Sequence, residues 1–142
     1  MAHAPKVSLA LVPFLLLVSA CSHHKTITTD DLRSDLTSAV SFAAETELFI
    51  DFVRQGRSID HYAEGHLEYL SEELNRSARE LEQSSSDAAL AQKLQESRAL
   101  LDSLALQVAA IRPDLGDPSA LSDARQQIAK TRAALEQANA SL

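Results

Sequence analysis

The stretch Leu81-Glu82-Gln83-Ser84-Ser85-Ser86-Asp87-Ala88-Ala89-Leu90, near the middle of the chain, decides the architecture. Before it, a mainly apolar seam recurs at spacings of three and four through Ala63, Leu67, Leu70, Leu74, Ser77 and Leu81. After it the seam resumes at Leu90, Leu94, Ser97, Leu101, Leu104, Val108 and Ile111, but its phase has broken. One continuous helix would hold a single phase, because its faces repeat about every 3.6 residues. Three serines and an aspartate supply a turn and a new N-cap, since short oxygen-bearing side chains bond the free amides of a helix start. The chain is therefore expected to fold back here.

Outward from this turn the same grammar repeats. Arg112-Pro113-Asp114-Leu115-Gly116 is a break, and Asp117-Pro118 caps a further helix with proline at its first position. Upstream, Gly56 ends a helix and Ser58 is expected to cap the next. Thr28 or Thr29 opens the first helix, with Asp30 and Asp31 set against the positive end of its dipole. The reading is four helices at about 29–55, 58–83, 87–111 and 118–140. The first carries the seam Leu32, Leu36, Ala39, Ala43, Thr46, Ile50 and Val53. The second seam starts at Asp60, and the fourth runs through Leu121, Ala124, Ile128, Thr131, Leu135, Ala138 and Leu142.

Folded antiparallel at each turn, the seams come into register. Leu32 falls level with Leu81, Leu90 and Leu142, and Thr46 with Leu67, Leu104 and Ile128. Small and large residues share layers, as in Ala39, Leu74, Ser97 and Leu135, which suits interdigitation. The expected fold is an all-α, up-down-up-down four-helix bundle with short loops over residues 29–142. A longer helical hairpin that completes its core by dimerising is the alternative.

Composition agrees. The chain has 142 residues, three glycines, no tryptophan and a formal net charge of −7. Few glycines and abundant Ala, Leu, Glu, Gln and Arg favour helix. An acidic balance argues against nucleic acid and against electrostatic attraction to anionic lipid.

The N-terminus has a different character. Lys6 precedes an apolar run, Val7 to Val18, broken by Pro13. As a helix that run is about 18 Å long against roughly 30 Å of hydrocarbon, so it has the size of a secretory h-region and not of a membrane span. Val18-Ser19-Ala20-Cys21 follows, an aliphatic residue, two small ones and the only cysteine of the chain. This segment resembles the lipobox of bacterial lipoproteins. The resemblance covers the first 21 residues and implies a signal peptide over 1–20, cleavage before Cys21, a diacylglycerol on the Cys21 thiol and acylation of the new amine, palmitate being a usual chain. It also implies a cell-envelope location held to the membrane by lipid. In enteric members of that group an aspartate after the cysteine retains the protein in the inner membrane; Ser22 stands there instead, which favours the periplasmic face of the outer membrane. Residues 21–28 read as the lipidated cysteine and a flexible polar tether. With a single cysteine no internal disulfide is expected.

Chemistry has few places to reside. The five aromatics after Cys21, Phe42, Phe49, Phe52, Tyr62 and Tyr69, fall in one half of the first helical hairpin, with His61, His66, Glu45, Glu47, Asp51, Glu64 and Glu68. Helix-borne di-metal carboxylate sites use Glu-x-x-His on inward faces, and this chain has none. His61, Glu64 and Glu68 form a stripe pointing away from the seam, which reads as a solvated face; with His66 they are the candidate metal ligands, and no metal is expected. His66 reads as a packed histidine bonded to a tyrosine or carboxylate, and Glu47 and Asp51 as a rim ion-pair network with Arg54 as nearest base. His23-His24 reads as polar linker. There is no Cys-x-x-Cys-His haem pattern, no phosphate loop and no nucleophile triad, so neither an enzyme nor a non-covalent cofactor is expected.

What remains is binding. Phe42, Phe49, Tyr62, His66 and Tyr69 are the candidate partner surface, since tyrosine offers apolar area and a hydrogen bond together. The favoured reading is a lipid-anchored scaffold or binding bundle of the cell envelope, with its working end near the 56–58 turn and an envelope protein or cell-wall material as partner. A metal-binding or metal-storage bundle is the first alternative. The second is a self-associating structural lipoprotein, a homo-oligomer packed through alanine-rich helix four (Ala124, Ala129, Ala133, Ala134 and Ala138).

Overall fold

The computed structural model describes residues 26–142. Four helices follow one another: α1 (Thr29–Arg54), α2 (Asp60–Glu82), α3 (Ala91–Ala110) and α4 (Pro118–Ala140), with a short 3-10 turn at Arg112–Asp114. They form a four-helix bundle. α1 packs most extensively on α4 and α2 on α3, while α1 and α2 touch more sparsely. Among the described residues no helix is long and apolar enough to cross a membrane. The lipobox, the leader before it and the Cys21 anchor lie outside the described residues.

Each helix end has a local cause. Thr28 caps α1 through a reciprocal box: its Oγ1 accepts from the Asp31 amide at 3.1 Å, and its own amide donates to Asp31 Oδ2 at 2.9 Å. At the far end the Arg57 amide donates to Phe52 O at 3.2 Å and the Gly56 amide to Val53 O at 2.9 Å. This closing motif requires a left-handed residue, and Gly56 supplies it with φ +67°. Asp117 caps α4 by accepting from Ser119 and Ala120, with Pro118 at the first helical position.

The core is the predicted seam, modified at its edges. Leu32, Leu36, Ala39, Ala43, Thr46 and Ile50 of α1 are buried, as are Leu67, Leu70, Leu74 and Leu81 of α2, Leu101, Leu104 and Val108 of α3, and Leu121, Ile128 and Leu135 of α4. Thr46 tolerates full burial because its hydroxyl donates to Phe42 O at 2.8 Å. Phe49, Ser71, Ala78 and Ala105 are buried beside the seam and broaden it.

Four expectations need correction. Ser58 does not cap α2: Ile59 is the N-cap residue, no side chain caps it, and the Ser58 hydroxyl donates to Ile59 O instead. The chain leaves the Gly56 motif one residue later than the spacing suggests. Asp60, placed on the seam, is exposed, because a carboxylate in the first turn gains from water and the helix dipole and the seam starts at Ala63. α3 begins at Ala91 and not at Asp87; Asp87 Oδ1 accepts from the Leu90 amide at 2.8 Å, but over a turn that precedes the helix. Finally, the segment taken as tether up to residue 28 is docked at its end. Ile27 is 4% exposed, its amide donates to Ser85 O at 2.8 Å, and Thr26 bridges to Ser85. An apolar residue beside the α2–α3 turn finds a place in the core that polar neighbours could not use.

Candidate functional site

Spacing on two helices builds the aromatic site. Glu45, Phe49 and Phe52 succeed one another at four and three residues along α1, and Tyr62, His66 and Tyr69 do so along α2. Each set therefore lies on one side of its helix, and the two sides face each other. Phe49 is the hub. Its ring centroid lies 4.4 Å from that of His66, 6.1 Å from Tyr62 in an edge-on arrangement, and 6.4 Å from Phe52. Tyr62 and His66 are nearly parallel, 5° apart at 6.0 Å, and Tyr69 follows at 6.4 Å from His66.

His66 Nε2 lies 3.3 Å from Glu45 Oε1, which brings an imidazole of α2 beside a carboxylate of α1. The ring edges are left open. Phe49 is buried, but Tyr62 is 57%, Tyr69 51%, Phe52 39% and Ile59 74% exposed. Two shallow grooves meet at Ile59 and Tyr62. One, of about 440 Å³, is bounded by Phe49, Phe52 and Arg57; the other, of about 530 Å³, by His61, Gly65, His66 and Tyr69.

Gly65 is out of place by helical logic. A glycine inside a helix costs about 1 kcal/mol relative to alanine. Here a Cβ would meet nothing within 4 Å, so no close approach among the described residues demands it. Arg57, at the edge of the first groove, makes no ion pair among the described residues, and neither does Glu72 on α2.

The candidate residues divide. Phe49, Tyr62, His66 and Tyr69 come together; Phe42 is half-buried against the core and makes no ring contact among the described residues. Of the candidate metal ligands, His61 and Glu64 are exposed, Glu68 faces Arg112 at 3.6 Å and His66 faces Glu45. Among the described residues no three His, Cys, Asp or Glu side chains converge as a metal ion would require. Glu47 and Asp51 are bonded across the bundle, to Arg132 at 2.7 Å and Arg125 at 2.9 Å of α4, with Arg54 a more distant neighbour of Asp51 at 3.4 Å. Sequence reading missed Arg57, Ile59 and Gly65 as site members. Gly65 alone carried a signal, as a helix-weakening residue between two tyrosines.

Such a surface recognises by shape and area, with two phenol hydroxyls and one free guanidinium for direction. In class the molecule is a four-helix bundle that carries an exposed aromatic face over one helix pair. The chain matches no protein-family model, no curated protein and no solved structure.

Proposed function

We propose that this protein is a lipid-anchored binding module of the cell envelope, tethered through Cys21 and docking another envelope macromolecule through the aromatic face of α1 and α2. The observation that supports docking is the gathering of Phe52, Ile59 and Tyr62 at the end of the bundle opposite Thr26, with Tyr69 about two turns further along α2. α1 separates Thr29 from Phe52 by roughly 35 Å. The chain from Cys21 to Thr26 reaches at most about 18 Å. An anchor at Cys21 would therefore hold the base of the bundle near lipid and leave the aromatic face clear of it. The lipobox-like segment supports the anchor and the envelope location, with the outer membrane favoured by Ser22.

The two halves are tested separately. Intact mass of the protein isolated from membranes should begin at an acylated Cys21, and Cys21→Ser should release the chain from the membrane; an uncut chain without acyl mass overturns anchoring. For docking, alanine at both Tyr62 and Tyr69 should abolish capture of a specific partner by crosslinking in intact cells while helix content is kept. Capture unchanged by both substitutions overturns the docking face.

A further inference from the structure

Tyr62, Gly65, His66 and Tyr69 stand at positions i, i+3, i+4 and i+7 of α2, the four corners of the hole that receives one side chain when helices pack knob into hole. One corner is a glycine with free space above it, and the hole opens into the groove of about 530 Å³. Among the described residues no side chain fills it from outside. The question is which helix does.

The charges around the hole select among occupants. Arg57 lies on one side of Gly65 and Glu72 on the other, seven or eight residues away in each direction, and neither has an ionic partner among the described residues. A helix laid along α2 must therefore carry an acid opposite Arg57, a base opposite Glu72 and a large side chain over Gly65. α2 run in the opposite direction meets all three demands. With a two-fold axis crossing α2 beside Gly65, Tyr62 of each copy sits over Gly65 of the other. Arg57, in the turn just before α2, then falls at the same end of the interface as Glu72 of the other copy. A parallel pairing would set Arg57 against Arg57 and Glu72 against Glu72, like charges in both cases.

We propose that the aromatic face is a self-association surface, on which two copies of this chain pack α2 against α2 in antiparallel fashion across a two-fold axis close to Gly65. The inference rests on the docking reading above and names its occupant. Area is consistent with it. Tyr62, Tyr69, Ile59 and Phe52 together leave on the order of 400 Å² open, about half of what one side of a stable interface buries, before the stems of Arg57, His61 and Glu72 are added.

A photo-crosslinking amino acid at Tyr69 of the full chain, in cells holding two differently tagged copies, tests this. The expected product joins the two tags, and its linked peptide maps to residues 57–62 of the second copy; the same group at exposed Ala99 of α3 gives none. Gly65→Leu fills the seat and should abolish the product with helix content unchanged, because leucine favours helix over glycine and among the described residues a Cβ at this position meets nothing within 4 Å. Arg57→Glu and Glu72→Arg should each lower the yield about tenfold, and the two together should restore it. A product that maps to the Tyr69 region of the second copy, or no rescue by the double reversal, overturns the antiparallel dimer. Crosslinks only to a different protein overturn self-association and leave the docking face standing. No crosslink to any protein or to cell-wall material overturns both.

Discussion

Arg132 Nε donates to Glu47 Oε1 at 2.7 Å, joining α4 to a carboxylate that is 9% exposed at its side chain. Arg132 itself is 36% exposed, so a surface guanidinium satisfies a group that has been withdrawn from water. The pair one turn further along, Arg125 with Asp51 at 2.9 Å, is wetter at both ends.

That difference predicts unequal costs. Arg132→Ala leaves Glu47 buried without its partner and should destabilise the bundle by about 2 kcal/mol, whereas Arg125→Ala should cost about 0.5 kcal/mol. Urea unfolding of the two variants measures it. Equal losses would mean that Glu47 is rehydrated when Arg132 is removed.

The two leucines flanking Ala105 on α3 have opposite environments. Leu104 is fully buried and Leu106 is 71% exposed. Leu104→Ala should lower stability by about 3 kcal/mol and Leu106→Ala by less than about 0.5 kcal/mol. A thermal midpoint that falls sharply only for Leu104→Ala is the expected result.

Gly56 and Gly65 should respond to alanine with opposite signs. At Gly56 the backbone is left-handed, and Gly56→Ala should cost about 1 kcal/mol. At Gly65 the backbone is helical and the space open, so Gly65→Ala should gain about 0.5–1 kcal/mol in dilute protein. Unfolding of each variant at low concentration, where association does not contribute, gives the sign directly.

The docked end of the leading segment makes a prediction of its own. The Ile27 amide donates to Ser85 O, so it should exchange slowly with deuterium although it precedes α1. Ile27→Ala should cost about 2 kcal/mol and release that protection. Rapid exchange at Ile27 in the parent chain would contradict the docking.

Much of the bundle was legible before any coordinates. The seam positions Leu32, Leu36, Leu67, Leu70, Leu101, Leu104, Ile128 and Leu135 are buried because a strip repeating at three and four has one way to leave water. A threonine cap at Thr28 or Thr29, the Gly56 stop and the Asp117-Pro118 start were legible because capping is settled within a few residues, and the structure put the cap on Thr28. Ser58 misled, since spacing alone does not say whether a hydroxyl turns toward an amide or toward a neighbouring carbonyl.

The site was legible only as a grouping of aromatic and charged residues in one half of a hairpin. Which of them meet depends on how far each helix rotates about its axis, and several rotations bury the same leucines. That choice set Phe49 against His66 and left Phe42 on the core edge. It also gave Glu47 to Arg132, more than eighty residues away, because only the packed bundle fixes which charged side chains come within reach. Sequence by itself determined four rods, their caps and the inner strip. Tertiary structure decided the partners on their flanks, and it also docked Ile27, whose lone apolar side chain had no periodicity to announce it.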